Sequence, residues 1–280
     1  MTEDSTADRI EGAARLIARS QRLVVLTGAG ISQESGIPTF RGDGGIWENH
    51  RAEDLATREG FLSNPALVWR WYRERRAAAR EKRPNAGHTA LRDLEHLVPS
   101  FLIVTQNVDN LHRIAGSTQL VELHGNIERY RCMEYSHPAS EDPSWGNEPP
   151  RCRCGSIIRP DVVWFGEPLP QAELECAFRE SQRCDCFLAV GTSGVVEPAA
   201  LLPVVAKQSG ASLIEVNVAA SELTPIADIF LEGPAGTLLP AVVAGVRGLR
   251  AGDERAHRMR RPRDGRPGRT GQSRSGLKED

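Results

Sequence analysis

Four short apolar runs rich in β-branched residues alternate with helical patterns, and this alternation limits the possible folds more than any other feature. The runs occupy residues 23–30, 101–107, 186–193 and 212–217. Helical patterns precede the first two runs, and a third helical pattern separates the last two. Short apolar strands between helices are typical of a parallel sheet that helices cover on both faces. The sequence therefore predicts an α/β fold with a Rossmann-like doubly wound parallel sheet.

Each of these runs ends in small or polar residues. In open α/β sheets, ligands bind beyond the carboxyl ends of the strands. Because parallel strands present these ends at one edge of the sheet, we expect a single shared crevice there. The residues at the four ends are Gly28, Ala29 and Gly30, then Gln106 and Asn107, then Gly191, Thr192 and Ser193, and finally Asn217.

Two segments interrupt the alternation and predict a small inserted domain. Residues 41–87 are rich in helical patterns, and residues 127–165 hold close cysteines, several prolines and a Trp. The tail, residues 251–280, is rich in Arg, Gly and Ser and nearly lacks large apolar residues, which predicts a disordered basic tail. The remaining chain forms the predicted Rossmann-like domain, which comprises residues 1–40, 88–126 and 166–250.

Composition narrows the classes of partner. Lys and Arg total 35 and Asp and Glu total 37, so a net charge of -2 gives no electrostatic case for specific binding of nucleic acid. No apolar run reaches the length of about 18 residues that a membrane helix needs. The acidic, polar N-terminus lacks the order of a secretory signal, so we expect a cytoplasmic protein. In that compartment, closely spaced cysteines favour metal ligands or core positions over disulfides.

The glycine turn at the end of the first run resembles a phosphate-binding loop only in part. Glycines at 28 and 30 let a backbone approach a pyrophosphate. The dinucleotide fingerprint has a third glycine where this chain has Gln33, and the next predicted strand begins only at residue 101. An ordinary tight turn is the alternative interpretation.

Longer motifs are far more specific. The segments GAGISQESGIPTFRG, TQNVDNLH, LHGN, RPDVVWFGE and GTSGVVEPAA resemble, in this order, the sirtuin family of NAD-dependent protein-lysine deacylases. The resemblance covers roughly residues 20 to 245. It implies a Rossmann-like large domain, a small domain with a zinc ribbon, and NAD in the cleft between them.

The resemblance also implies roles for matching residues. In the family's reaction the acyl-lysine oxygen displaces nicotinamide, and a base then activates a ribose hydroxyl, which leads to O-acyl-ADP-ribose. His124 matches the base, a task that suits a side chain titrating near neutral pH. Asn107 would orient the ribose or a water, and Asp109 would bind the nicotinamide carboxamide. The full set matching NAD-binding positions is Gly28, Ala29, Gly30, Phe40, Arg41, Gln106, Asn107, Val108, Asp109, Gly191, Thr192, Ser193, Asn217 and Ala235.

The segment VVWFGE resembles the one beside which family members hold the substrate peptide. An extended peptide there would bind Val163, Trp164 and Phe165 mainly through backbone hydrogen bonds. The alternative is an ordinary strand with a buried Trp, and both can hold at once.

The cysteines of the second inserted segment depart from the family's zinc ribbon. Tyr135 stands where a second thiolate is expected after Cys132, and Cys152 and Cys154 are one residue closer than usual. Structural zinc takes four ligands. His137 would complete a site of three cysteines and one histidine, and a metal-free ribbon is the alternative.

The stretch VWRWYRERRAAAR, residues 68–80, carries five arginines. Helical spacing puts Val68, Trp71, Tyr72, Arg75 and Ala79 on one stripe, whereas Arg70, Arg73, Arg76 and Arg80 fall largely off it and predict a solvated face. An arginine on an apolar stripe needs an anionic partner, either a protein carboxylate or a ligand. The desuccinylase and demalonylase branch of the sirtuins carries Tyr-x-x-Arg on this helix, which implies that Tyr72 and Arg75 bind an acidic acyl group.

Three functional hypotheses follow. The first is an NAD-dependent deacylase that removes succinyl or malonyl groups, and acetyl groups more weakly, from lysine side chains of proteins. The second is an NAD glycohydrolase or mono-ADP-ribosyltransferase on the same scaffold. The third is a non-enzymatic module that senses NAD or binds acyl-lysine, against which the presence of His124 and Asn107 counts.

Overall fold

The computed structural model describes residues 5–39, 51–142 and 145–260. The strands in these ranges are β1 (Arg22–Thr27), β2 (Ser100–Thr105), β3 (Leu120–Glu122), β4 (Gly125–Cys132), β5 (Pro138–Ala139), β6 (Ile158–Val162), β7 (Cys186–Val190), β8 (Ser212–Asn217) and β9 (Ile229–Glu232). The helices are α1 (Thr6–Arg19), α2 (Gly30–Gln33), α3 (Ala52–Leu55), α4 (Arg58–Ser63), α5 (Pro65–Arg80), α6 (Ala86–Leu97), α7 (Leu111–Ile114), α8 (Gln171–Arg183), α9 (Leu201–Gln208) and α10 (Ala235–Arg260).

Six strands form a parallel sheet in the order β3-β2-β1-β7-β8-β9. Successive side chains of a strand point to opposite faces. Accordingly, Leu23 and Val25 of β1 join the core on the side of α1, α6 and α10, whereas Val24 and Leu26 join the core on the side of α8 and α9. The predicted doubly wound parallel sheet is confirmed.

The two edge strands were not predicted, because each is too short for a periodic signal. β3 has three residues and β9 has four. β3 matters for the site because its end leads directly into the LHGN motif.

A second, three-stranded sheet has the order β5-β4-β6 and packs against α5. The helix begins as its sequence predicts, since the Asn64 side chain accepts a hydrogen bond from the N–H of Leu67 and Pro65 occupies the first turn. Its apolar side chains meet both inserted segments in one cluster that includes Val68, Tyr72 and Trp164. The limits of the two domains stay a prediction.

The last helix extends into the segment predicted as a disordered tail, because α10 continues from residue 251 to Arg260. The disorder of that tail stays a prediction. Residues 261–280 lie outside the described ranges. No helix within those ranges has the length and apolarity to cross a membrane.

Candidate active site

A cavity of about 270 Å³ lies beyond the carboxyl ends of β1 and β2, where α5 faces them. Residues that follow the strands of the large sheet therefore meet residues of α5 and β4 in this cavity. The residues that line it are Ala29, Ser32, Gly36, Ile37, Pro38, Arg75, Ala78, Ala79, Lys82, Asn107, Val108, Asp109 and Ile127.

The backbone at the end of β7 leaves no room for side chains at Gly28 and Gly30, which follow β1. A Cβ atom at Gly28 would lie 2.6 Å from the carbonyl oxygen of Gly191, and one at Gly30 would lie 2.7 Å from the Cα atom of Gly191. The N–H of Gly30 donates to the same Gly191 carbonyl at 2.9 Å. Gly191 itself has φ +58°, which favours glycine. Two glycine turns thus pack backbone against backbone, and this contact brings the ends of β1 and β7 together.

Asn107 and Asp109 are held by a serine that sequence reasoning missed. The Asn107 amide donates to the Gly28 carbonyl at 3.0 Å and to the Ser32 hydroxyl at 3.3 Å. Ser32 in turn donates to Asp109 at 2.6 Å, and the N–H of Leu111 donates to the other carboxylate oxygen at 2.9 Å. Burial raises the pKa of Asp109, although these two donors oppose the shift. The position of Ser32, a small polar residue just after the glycine turn, was the available signal.

Two buried histidines lie beneath this network. The rings of His88 and His112 are 4.9 Å apart, and His112 Nε2 lies 2.9 Å from the Thr27 hydroxyl. Burial lowers the pKa of His88 to about 4 and that of His112 to about 3, so both are neutral at pH 7. This packing indicates a structural role for both histidines.

His124 lies between the second strand end and the VVWFGE segment. Its Nδ1 donates to the Gln106 carbonyl at 2.8 Å, which leaves Nε2 as the unprotonated nitrogen of the neutral ring. Burial lowers the pKa of His124, although the hydrogen bond to Gln106 opposes the shift. Its own carbonyl accepts the N–H of Val163 at 2.9 Å. A neutral imidazole with one free lone pair can act as a base.

The remaining strand ends form a second hydrogen-bonded group. The Gln106 amide donates to the Thr192 hydroxyl at 3.0 Å, and the Asn217 amide donates to the Thr192 carbonyl at 3.0 Å. The Ser193 side chain is exposed, whereas Ala235 is buried at the start of α10. Three of the four predicted strand ends are therefore linked by direct contacts here, and the glycine turn joins the fourth to them.

Helix α5 presents one arginine to the cavity and buries the next. Arg75 lines the cavity with its guanidinium over the Trp71 ring, 4.6 Å from the ring centroid. Tyr72 lies behind that wall, only 6% exposed, and its hydroxyl accepts the indole N–H of Trp164 at 2.9 Å. Of the predicted pair, Arg75 therefore reaches the cavity and Tyr72 does not line it.

The prediction that Arg76 faces solvent is wrong. Arg76 is 5% exposed, and its guanidinium lies 4.3 Å from the centroid of the Tyr130 ring. It pairs with Glu128 at 3.3 Å and with Glu141 at 3.1 Å. Arg80, which also pairs with both carboxylates, is exposed as predicted. The helix pattern could not reveal partners that are more than fifty residues away along the chain.

The three residues predicted to bind peptide alternate in exposure. Phe165 is 51% exposed, Val163 is half-buried, and the Trp164 side chain is only 2% exposed. The N–H of Phe165 donates to the Ala56 carbonyl at 2.9 Å, which joins this segment to the end of α3. Trp164 therefore has no exposed ring to offer a peptide, and the buried Trp of the alternative interpretation is present.

The donor atoms of Cys132, His137, Cys152 and Cys154 all lie within 4.8 Å of one another. The sulfurs of Cys132 and Cys154 are 3.5 Å apart, and Cys152 Sγ is 3.7 Å from His137 Nδ1. These separations approach the edge of about 3.8 Å that a tetrahedral zinc site with Zn–S bonds of about 2.3 Å requires. The residues therefore fit a structural zinc ion.

The turn between Cys132 and His137 places a histidine where the family's ribbon has a second cysteine. The Tyr135 side chain is 67% exposed and stacks on the His137 ring, with centroids 5.5 Å apart and an angle of 19° between planes. Ser136 adopts φ 51°, and the N–H of Cys132 donates to the His137 carbonyl at 2.8 Å. This wider turn carries the imidazole to the fourth corner of the donor set.

Comparisons with known proteins decide the family. Residues 28–198 match the sequence profile of the Sir2 family. A Pyrobaculum aerophilum protein named NAD-dependent protein deacylase 2 is 51% identical over 235 residues, which are 84% of this chain and 94% of that protein. The chain belongs to the Sir2 family of NAD-dependent protein deacylases.

Solved Sir2 structures extend the comparison to the fold and the cofactor. A Sir2 homologue in complex with NAD has a TM-score of 0.79 and 44% identity, over 85% of this chain and 94% of that one. The protein Sir2Af2, solved with a myristoylated histone peptide, has a TM-score of 0.71 and 37% identity, over 88% of this chain and 99% of that one. As a Sir2 enzyme, the chain uses NAD.

Two predicted NAD-binding residues of this Sir2 chain, Phe40 and Arg41, lie outside the described residues. Those described at the strand ends fit the cofactor. The Asp109 carboxylate lines the cavity, where it can accept hydrogen bonds from an amide. The Asn107 side chain lies beside it, and its amide nitrogen, not its amide oxygen, makes the hydrogen bonds described above.

Proposed function

We propose that this Sir2 enzyme removes succinyl and malonyl groups, and acetyl groups more weakly, from lysine side chains of proteins, yielding nicotinamide and O-acyl-ADP-ribose. One observation carries the acyl preference, namely that Arg75 lies in the wall of the cavity that also contains Asn107 and Asp109. A guanidinium at the place where chemistry would occur favours a substrate with a carboxylate.

The charge of the cavity supports this preference. Among the described lining residues, Arg75 and Lys82 are the cations and Asp109 is the carboxylate. Asp109 already accepts two hydrogen bonds, from Ser32 and from Leu111. An acyl group ending in a carboxylate would lie beside these two cations and could form charge-assisted hydrogen bonds with them. The planar guanidinium of Arg75 suits such a ligand better than a point charge does.

On the other wall, Asp109 would accept hydrogen bonds from the nicotinamide carboxamide, and Asn107 would orient the ribose. NAD supplies the ADP-ribosyl group that takes the acyl group from lysine. Gly28, Ala29 and Gly30, with Thr192 and Ser193 at the next strand end, would bind the phosphates and ribose hydroxyls. Asn217, at the end of β8, and Ala235, at the start of α10, would contact the adenosine part of NAD.

His124 would be the general base that removes a proton from a ribose hydroxyl. Its Nδ1–H is bound to the Gln106 carbonyl, so the tautomer is fixed and Nε2 accepts the proton. The lowered pKa keeps the ring neutral at pH 7. These features support His124 as the base.

The substrate would be a protein segment in extended form that pairs beside residues 163–165. The exposed Phe165 side chain and the half-buried Val163 flank a buried Trp164, so only alternate residues can touch a peptide. The acylated histone peptide bound to the related Sir2Af2 supports a peptide partner of this kind.

The proposal is tested with one peptide synthesised in acetyl, succinyl, malonyl and myristoyl forms. Each is incubated with the enzyme and NAD, and products are identified by mass. We expect O-succinyl- and O-malonyl-ADP-ribose to form with kcat/KM at least about tenfold above that for acetyl, the worth of about one charge-assisted hydrogen bond. A higher kcat/KM for the acetyl or myristoyl peptide would contradict the proposed acyl preference.

The same assay without peptide tests the alternative chemistry. ADP-ribose released from NAD alone at a comparable rate would favour an NAD glycohydrolase. ADP-ribose attached to protein would favour a mono-ADP-ribosyltransferase. NAD binding without turnover on any peptide would favour a sensing module.

A further inference from the structure

The indole of Trp164 controls what the Tyr72 hydroxyl can do. The Nε1–H of Trp164 is 2.9 Å from the Tyr72 oxygen, and both side chains are buried. An indole N–H only donates, so the tyrosine oxygen is the acceptor and its own proton must point elsewhere. Among the described residues, the Tyr72 hydroxyl has this one hydrogen bond. Its proton is therefore not committed to any acceptor in that part of the protein.

The indole is fixed in this orientation by a buried ion pair. The Arg159 guanidinium lies flat on the Trp164 ring, 3.3 Å from the centroid, and pairs with Glu167. Glu167 also accepts the backbone N–H of Trp164 at 2.9 Å. The Phe61 ring packs against the indole at 5.1 Å. Since these contacts hold both the backbone and the ring, the N–H stays directed at Tyr72.

Packing joins Tyr72 to the cation in the cavity wall. The Trp71 ring meets the Tyr72 ring edge to face, with centroids 4.7 Å apart, and carries the Arg75 guanidinium over its face at 4.6 Å. Tyr72 and Arg75 are also one turn apart on α5. The Tyr72 ring is thus packed directly behind the wall in which the Arg75 guanidinium lies.

We infer that Trp164 is a positioning residue for acyl recognition: it donates to the Tyr72 oxygen and thereby directs the tyrosine proton toward the carboxylate of a bound succinyl or malonyl group. The inference depends on the acyl preference proposed above. Burial raises the pKa of Tyr72 to about 12, which keeps the proton on the hydroxyl and agrees with its use as a donor. Phe at position 164 would retain an aromatic ring for Arg159 but would leave the tyrosine hydroxyl free to turn.

The test is a double-mutant cycle of Trp164→Phe and Tyr72→Phe, measured on succinyl and acetyl forms of one peptide. We expect Trp164→Phe to raise KM for the succinyl peptide about tenfold, because one hydrogen bond to a charged group is misdirected. KM for the acetyl peptide should rise much less, so that the ratio of the two KM values changes. In the Tyr72→Phe background, the substitution at 164 should have no further effect on the succinyl peptide, since the hydroxyl through which it acts is absent.

Trp69→Phe is the matched control. Trp69 is also fully buried and also donates its indole N–H to a single oxygen, the Gly146 carbonyl at 3.1 Å, but it belongs to a different apolar cluster from Tyr72. It should leave the ratio of the two peptides unchanged. If Trp164→Phe does not fold, benzothienylalanine placed at position 164 removes the N–H alone.

The outcomes separate this inference from the proposed function. Equal losses on both peptides, or full additivity with Tyr72→Phe, would show that Trp164 acts only through packing. A wild-type enzyme that prefers succinyl peptide together with an unaffected Trp164→Phe variant would overturn the inference alone. A wild-type enzyme with no preference for the succinyl peptide would overturn both.

Discussion

The two walls of the cavity are built in different ways. The wall at the strand ends consists of glycine turns and buried polar side chains that bind one another, as Ser32 binds Asn107 and Asp109. The wall from α5 and the residues after it consists of small side chains and two cations, Arg75 and Lys82. The groups of the first wall are tied to one another and to the backbone by hydrogen bonds, whereas the second wall can change by substitution of single side chains. This difference suits a cofactor common to every reaction on one wall and a variable acyl group on the other.

Two adjacent arginines sharpen the comparison, because α5 has two occupied faces. Arg75 lies in the cavity wall, and Arg76 is buried against Tyr130 with Glu128 and Glu141. Two consecutive residues of α5 thus have different tasks: Arg75 is a predicted ligand contact, and Arg76 holds the helix in place. Substitutions on the two walls, and on the two faces of this helix, should have different consequences.

The largest expected effect comes from His124→Ala. Removal of a general base typically costs about a hundredfold to ten-thousandfold in rate, so we expect kcat to fall about a thousandfold on succinyl and acetyl peptides alike. Steady-state assays with both peptides measure this. A loss confined to one acyl group would show that His124 belongs to acyl recognition and would break the proposed division between the walls.

Loss of the metal should destabilise the end of β4 and the loops that carry the four donor residues. We expect about one zinc ion per chain by metal analysis, and none after Cys152→Ser. Since metal binding contributes to folding, we expect that substitution to lower the free energy of unfolding by about 4 kcal/mol. Thermal unfolding measures the change, and Cys176→Ser, on the half-buried face of α8, is the control. A variant with full stability and no metal would favour the metal-free ribbon.

Arg75→Met should change the acyl preference. Replacement of a guanidinium that binds a carboxylate removes about two charge-assisted hydrogen bonds, so we expect kcat/KM for the succinyl peptide to fall about a hundredfold. That for the acetyl peptide should change by less than about threefold. Equal losses on both peptides, or a higher KM for NAD with each, would indicate that Arg75 binds the cofactor instead.

Arg76→Met is the same substitution one position along, and it should change stability without changing the acyl preference. It breaks a buried ion pair but leaves Arg80 to compensate Glu128 and Glu141, so we expect the free energy of unfolding to fall by about 2 kcal/mol. Denaturant unfolding measures this, beside the ratio of succinyl to acetyl activity. A large change in the ratio would mean that the placement of α5, and not the Arg75 side chain alone, determines specificity.

The difference between the walls also explains what sequence could predict. The strand ends were predictable because strand, turn and helix are local signals, and parallel strands bring their ends to one edge. His137 was also predictable, since it is close to Cys132 in sequence and the donor count required a fourth ligand. The burial of Arg76 was not, because Tyr130, Glu128 and Glu141 are remote in sequence. Ser32 was missed for a related reason, since its importance comes from Asn107 and Asp109 on another strand end.

The smallest expected effect is on the pH dependence of the reaction. A base must be unprotonated, and burial places the pKa of His124 below the ordinary histidine value of about 6.5, so activity should be lost only as pH falls below that value. Between about pH 7.5 and pH 6.0, kcat/KM should therefore fall less than the roughly fourfold expected of an unshifted histidine.

Unfolding of the protein must be followed over the same pH range. His88 and His112 have depressed pKa values in the folded state, so the stability they contribute is present above about pH 6.5 and is lost as pH falls toward those lower values. A steeper loss of activity, with folding intact at each pH, would show that protonation of His124 is not opposed by burial in the working enzyme.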